Sequence, residues 1–385
     1  MKDVKIVIGC NFGDESKGLV TRHFARTMIN PIVILHNGSA QRGHTVDYNP
    51  NFRHIYHHFG CGSGDNVPTF FANTFWVHPM EFVREYCELS KNGIFPISYC
   101  DPAAKVITPF DMLIDHATEA WIAYERGERE YASCGFGTWC AIESRANNNF
   151  TIYDYSKAVL LNEDYLRYML EETWKECCAV LASRKVDINC LPEYKDYFTP
   201  NSWKKKNLIS HFIDDIKFFL KKVEFKTFDQ IYKGFDSLIF EGAQGLGLDI
   251  DCGKEWHTTS HTGLTNPAHL LNKYKDFTAE VCYVSRSYLT RHGIGYLEEE
   301  TKKKEINPTM IDLTNVPNEF QGALRYGYLE DLAQKERIKK DWSIVEKDSR
   351  YTKSMAITHC NEFEDLKKDT KYFSCNKFTV IDRSL

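Results

Sequence analysis

Asp14 and Lys17 share one glycine-bearing polar turn, Gly9-Cys10-Asn11-Phe12-Gly13-Asp14-Glu15-Ser16-Lys17-Gly18. A lysine and the free backbone N–H groups of a helix start together cradle phosphate. A carboxylate in such a cradle is repelled by a polyphosphate unless a metal or an acidic proton lies between them. Asp14 therefore points to Mg2+ ligation, to proton abstraction, or to both. The order Ser16-Lys17-Gly18 departs from the Gly-Lys-Ser/Thr of a standard P-loop. Taken alone, the turn fits a plain strand-to-helix connection with solvated charges about as well. A second candidate is His44, which follows Gly43 in the polar loop His36 to Thr45. A glycine there lets the backbone approach a ligand, which favours a functional histidine over a solvent-facing one.

These residues need elements to hold them. Val4 to Ile8 is an apolar run that reads as a buried strand, and Leu19, Val20 and Phe24 open a helix over Leu19 to Met28. Ile32 to Leu35 and Leu238 to Phe240 read as further buried strands. Strands that each end in a glycine-rich polar loop predict a parallel sheet with its loops gathered at one edge, and a ligand beyond the carboxyl ends. Two helical stripes lie between: Leu166, Met169, Leu170, Cys177 and Leu181, then Ile209, Phe212, Ile213, Ile216, Phe219, Leu220 and Val223. The stretch Asn189 to Asn207, with Lys204-Lys205-Lys206, reads as a solvated loop. No repeat or low-complexity linker divides the chain, so 1–385 is expected to be a single elaborated α/β domain. His57 and His58 are consecutive, point to opposite sides of an extended chain, and make a poor chelate.

Composition narrows the class. The 385 residues are 43% apolar and 26% charged, with net charge −5. That balance argues against general affinity for nucleic acid or for an anionic membrane. No apolar stretch has the length of a membrane span, and the N-terminus does not read as a signal peptide. Thirteen cysteines occur without a Cys-x-x-Cys pair. Cys10, Cys100, Cys178 and Cys282 have apolar neighbours and read as reduced core residues, in keeping with a cytoplasmic setting and no zinc.

The turn at Asp14 resembles the Gly-Asp-Glu-Gly-Lys-Gly signature of adenylosuccinate synthetases, with Ser16 in place of a glycine. Other family motifs recur in order. Gln41-Arg42-Gly43-His44-Thr45 stands where the family has Asn-Ala-Gly-His-Thr. Phe240 to Asp251 nearly repeats Phe-Glu-Gly-Ala-Gln-Gly-x-x-Leu-Asp-Ile-Asp. Tyr288 to Gly295 matches Tyr-x-Thr-Arg-x-Gly-x-Gly, with Arg291 expected to be structural or to support a residue that touches the ligand. The resemblance implies an α/β fold with a large, mostly parallel central sheet flanked by helices, related to P-loop folds. It implies a ligase that joins L-aspartate to a purine mononucleotide, with Mg2+ and a nucleoside triphosphate, working as a homodimer. Residue by residue, it makes Asp14 and His44 catalytic and places the metal on Asp14 and the Gly43 carbonyl. Gln41, Ser133, Arg145, Gln244 and Thr259 would bind the mononucleotide, Gln244 by offering a donor and an acceptor to a 6-oxopurine edge. Arg145 would cross the dimer interface. Gly13, Lys17, Gly18, Thr45, Arg325, Asn361 and Asp382 would bind the triphosphate.

Toward its end the chain departs from the ordinary enzyme. Where the family has several arginines, Gly322, Ala323 and Leu324 stand, and Arg325 alone remains. The guanine reader Thr-Lys-Leu-Asp becomes Thr358-His359-Cys360-Asn361. Asn-Glu-Phe-Gln-Gly-x-x-Arg-Tyr-Gly-Tyr-Leu resembles the viral branch, the 2-aminoadenylosuccinate synthetases, whose acceptor is dGMP. Many members of that branch lack the catalytic Asp, which this chain keeps. The expected donor is ATP or dATP rather than GTP. Two other readings stand beside this one: an ordinary synthetase using IMP and GTP, and a non-catalytic nucleotide-binding protein on the same fold.

Overall fold

A computed structural model describes residues 1–127, 134–144, 150–252, 258–310, 312, 320, 322–362 and 370–384. Ten strands form one sheet. In chain order they are β1 (Lys2–Gly9), β2 (Pro31–Leu35), β3 (Thr69–Phe71), β4 (Ser98–Cys100), β5 (Val223–Phe225), β6 (Ser237–Gly245), β7 (Phe277–Arg286), β8 (Tyr351–Thr358), β9 (Tyr372–Phe373) and β10 (Ile381–Asp382). Their spatial order is β10-β9-β8-β7-β1-β6-β2-β3-β4-β5. Every neighbouring pair is parallel except β9–β10.

Alternation along the strands explains the layers. Val4, Ile6 and Ile8 of β1 join one core with Ile32, Ile34, Leu238, Phe240, Val281 and Tyr283. Val7 points the other way and joins Val33, Leu35, Ile239, Cys282 and Val284. Both faces of the middle strands are thus buried, as strands covered by helices require. The second core takes Val20 and Phe24 from the Lys17–Thr27 helix. It also takes Leu166, Met169 and Leu170 from the Glu163–Ser183 helix, and Ile209, Phe212 and Ile216 from the Trp203–Lys222 helix.

Some expectations change. The helix predicted from Leu19 starts at Lys17. The Lys204 to Lys206 run is not a loop but the first turns of the Trp203–Lys222 helix, where Lys205 pairs with Glu171 at 2.9 Å. The third predicted strand continues through Glu241 to Gly245. Cys178 is half-exposed, whereas Cys10, Cys100 and Cys282 are buried. Among the described residues no helix is long and apolar enough to cross a membrane.

Candidate active site

The carboxyl ends of β1, β2, β6, β7 and β8 lie side by side, so their following loops converge at one edge of the sheet. The loop after β1 is the tightest. At Gly9 a Cβ would lie 2.4 Å from Glu15 Oε2 and 2.7 Å from the Gln244 carbonyl, so only glycine lets β1 and β6 close there. Asp14 (φ 60°) and Ser16 (φ 66°) adopt left-handed backbone that costs a non-glycine residue free energy. Arg286, at the end of β7, donates from Nε to the Asp14 carbonyl and pairs with Asp312 at 2.7 Å, which holds that conformation from behind. Arg337, on the Asp331–Trp342 helix, donates to the Cys10 carbonyl at 3.0 Å and to Asn11 Oδ1 at 2.7 Å, and grips Glu298.

Inside the loop, Glu15 is the anion. Its Oε1 accepts from the N–H groups of Asn11 and Gly13 at 2.9 and 3.0 Å, and its Oε2 pairs with Lys17 at 2.9 Å. Two of the backbone donors expected to face phosphate are therefore turned to a carboxylate of the same loop. Asp14 points elsewhere: its Oδ2 lies 2.9 Å from His292 Nδ1. Burial works to push the Asp14 carboxyl up, but His292, Arg286 and Lys17 outweigh it and hold it below its ordinary range. Asp14 is thus ionised, the form able to accept a proton.

His44 opens the hairpin His44–Asn49/Phe52–Tyr56 and is buried. Its Nδ1 lies 2.6 Å from Glu241 Oε1 on β6. Glu241 also accepts from the Cys61 N–H at 3.0 Å and faces Arg42 Nη1 at 3.5 Å. Burial lowers the His44 pKa to about 4, so the ring is neutral at pH 7. Burial would raise Glu241, but Arg42 and His44 bring it to about 2. Gly18 joins the two loops, since a Cβ there would lie 3.1 Å from His44 Cβ and 3.2 Å from the Thr45 carbonyl. Gln244 has φ 61°, and its buried Oε1 has no hydrogen-bond partner among the described residues. Such an atom is costly unless a ligand or water completes it. The Gln244 backbone lies beside Gly13, where a Cβ would be 3.9 Å from the Gln244 Cα.

The structure thus gathers Gly13, Asp14, Lys17, Gly18, His44, Thr45 and Gln244. Gly43 is exposed at the start of the hairpin, and its carbonyl with the Asp14 carboxylate offers the hard oxygen donors that suit Mg2+. Gln41 turns back onto its own loop, accepting from the Ser39 N–H at 2.6 Å and from Thr138 Oγ1 at 3.3 Å. Thr259 is half-buried beside Ser260, whose Oγ is buried without a partner among the described residues. Arg325 binds Glu300 and donates to the carbonyls of Gly293 and Gly295 at 2.9 and 2.8 Å, so it braces the loop that carries His292. Arg291 has the structural role expected of it, donating to the carbonyls of Ile294 and Tyr296. Asn361 is exposed and donates to Glu362 at 2.7 Å. Its segment is tied to the site through Thr358 Oγ1, 3.2 Å from the Glu15 carbonyl. Asp382 lies on β10, the outermost strand on its side of the sheet, and binds Ser384. Ser133 and Arg145 lie outside the described residues. Sequence reasoning gave no role to Glu241, Arg42, Arg286 or His292. Glu241 stood in a quoted motif, but only the fold brings it to His44.

The family model described as adenylosuccinate synthetase matches residues 6–339. The adenylosuccinate synthetase of Prochlorococcus marinus (strain MIT 9515) is 28% identical over 319 residues, covering 80% of this chain and 66% of that protein. That of Mesoplasma florum is 25% identical over 301 residues, covering 77% and 64%. The chain thus spans about two thirds of the length of the curated relatives it matches. Among solved structures, fully ligated adenylosuccinate synthetase from Plasmodium falciparum superposes with a TM-score of 0.63 at 18% identity, over 93% of this chain and 77% of that one. Cyanophage S-2L succinoaminodeoxyadenylate synthetase (PurZ), bound to dGMP and dATP, gives 0.64 at 12% identity, over 99% and 95%. At these identities the two structures show a shared fold.

Proposed function

The chain belongs to the adenylosuccinate synthetase family, and on that premise we propose that it is a C–N-forming ligase. It joins L-aspartate to C6 of a purine mononucleotide at the expense of a nucleoside triphosphate. The observation that carries this reading is one sheet edge holding Asp14, Lys17, His44 paired with Glu241, and Gln244 with an orphaned acceptor. Gln244 holds the purine edge. Asp14 takes the N1 proton, which places negative charge on O6, and O6 attacks the γ-phosphate as the bond from that phosphorus to its bridging oxygen breaks and the nucleoside diphosphate leaves. His44 Nε2 faces the transferring phosphoryl group, and Lys17 exchanges Glu15 for phosphate. Bound Mg2+, held by Asp14 and Gly43, would neutralise phosphate charge. The aspartate amine then adds at C6, the C6–O6 bond breaks, and inorganic phosphate leaves with O6 while the amine gives up a proton. Release of inorganic phosphate that requires mononucleotide, aspartate and triphosphate together tests the reading. Binding without turnover would instead favour a non-catalytic nucleotide-binding protein.

The mononucleotide is proposed to be dGMP and the donor ATP or dATP. Gly322, Ala323 and Leu324 offer a ribose 2′-hydroxyl no side-chain partner where the family has arginines. Burying a hydroxyl unpaired costs roughly 1–3 kcal/mol, which favours deoxyribose by roughly 5- to 100-fold. An aspartate reads guanine by accepting twice, whereas the Asn361 amide accepts on one side only and suits adenine. A neighbour of the same fold was solved with dGMP and dATP. The ordinary pairing of IMP with GTP is the competing assignment. A homodimer belongs to the same proposal, with Arg145 as the residue that crosses to the partner's phosphate.

A further inference from the structure

Arg42 stands two residues before His44, at a position where the resemblance has alanine. Its side chain is 1% exposed and the Glu241 side chain 0%. Neither charge is solvated, so each depends on the protein for its partners. The guanidinium plane is fixed at two points: Nε donates to the His57 carbonyl at 3.1 Å and Nη2 to the Phe59 carbonyl. The third nitrogen, Nη1, makes no hydrogen bond among the described residues and faces Glu241 Oε2 at 3.5 Å. The other carboxylate oxygen, Oε1, lies 2.6 Å from His44 Nδ1 and 2.7 Å from Cys61 Sγ. The three side chains form a line from a fixed guanidinium through a carboxylate to an imidazole.

We propose that Arg42 is a positioning residue for His44: it braces Glu241 so that Oε1 accepts from the Nδ1–H of His44 and Nε2 is the ring atom left for a phosphoryl group. A carboxylate bonded to one ring nitrogen fixes both the tautomer and the orientation of the other. Without Arg42, the Cys61 N–H, the Cys61 thiol and His44 are the partners left to Glu241 among the described residues, and the carboxylate loses its charged anchor on the Oε2 side. The inference rests on the ligase reading for its catalytic consequence but not for its geometry.

Two measurements test it. Histidine-selective 15N NMR of the full chain, with His44 assigned by His44→Gln, should show the Nδ1–H tautomer. Arg42→Ala should give a tautomer mixture, and Arg42→Lys should restore the wild-type signal. An unchanged His44 tautomer in folded Arg42→Ala would overturn the proposal. If Arg42→Ala does not fold, Arg42→Met serves as the uncharged variant under the same criterion. This readout needs no substrate, so it stands even if phosphate release by the wild-type chain is absent, a result that would defeat the ligase reading alone. In the phosphate-release assay, Arg42→Ala should lower kcat by about tenfold or more while nucleotide KM stays within about threefold. Arg42→Lys should recover most of the rate. Glu241→Gln with Arg42→Ala should be no slower than Glu241→Gln alone, because Arg42 then has no anion to brace. Full additivity of the two losses would contradict the proposal.

Discussion

Asp14 has to be ionised to take a proton and yet remain basic enough to want one. His292 at 2.9 Å, Arg286 and Lys17 hold its pKa below the ordinary carboxylate range against the push of burial. Asp14→Asn should therefore keep the fold and mononucleotide binding and lose about two or more orders of magnitude in rate, the scale of a general base. A near wild-type rate in single-turnover assays would remove Asp14 from the mechanism. His292 has a separable part. A hydrogen bond to a charged group contributes about 1.5–3 kcal/mol to stability, so His292→Leu should lower the free energy of unfolding by about that much with Asp14 intact. His292→Asn, which can still donate, should lose less, and equal loss in both variants would show that the bond is not what matters.

At the scale of elements, the site depends on what pins the loop after β1. Arg337 reaches it from the Asp331–Trp342 helix, and its partner Glu298 is buried. Removing one partner of a buried ion pair leaves the other uncompensated, so Arg337→Met should cost about 3–5 kcal/mol in chemical denaturation. A loss below about 1 kcal/mol would mean that the helix does not hold the loop. The strands and the Asp14 turn were legible in the sequence because an apolar run, a glycine turn and a helical stripe are local signals. Gln244 and His44 were legible because each stands in a motif after a strand. Arg286, Arg337 and Arg42 were not, because each acts on backbone or carboxylate far along the chain, and their distances exist only after β1, β6 and β7 pair. Glu15 was hidden for another reason: its sequence neighbours suggest a phosphate cradle, and only the folded loop shows its carboxylate already in it. The Lys204 to Lys206 run misled because charge alone does not distinguish a loop from an exposed helix turn.

The whole molecule carries a pH signature in its cores. Burial lowers His36 to about 3 and His78 to about 4, and drives His58 well below its ordinary value. A histidine that must stay neutral when folded loses stability as pH falls from about 6.5 toward its folded pKa, because the unfolded chain takes the proton first. Holding one such histidine neutral costs on the order of 2 kcal/mol by pH 5. Asp115 and Asp341 act in the opposite sense: burial raises them to about 7 and about 6, so acidification relieves them. The three histidines outweigh the two acids, and the melting temperature should fall between pH 7 and pH 5. His58→Gln should flatten that slope, since an amide does not titrate and can still accept from the His78 N–H. A melting temperature that rises on acidification, or an unchanged slope in the variant, would contradict this balance.

The choice of acceptor draws on the same whole chain, from the Gln244 strand to the arginine-poor segment at Gly322. The most direct measurement is a competition of equal dGMP, GMP and IMP with L-aspartate and ATP, with products separated by chromatography. The expected result is succinylated dGMP as the main product, with GMP used roughly 5- to 100-fold less well. Succinylated IMP as the main product would contradict the assignment.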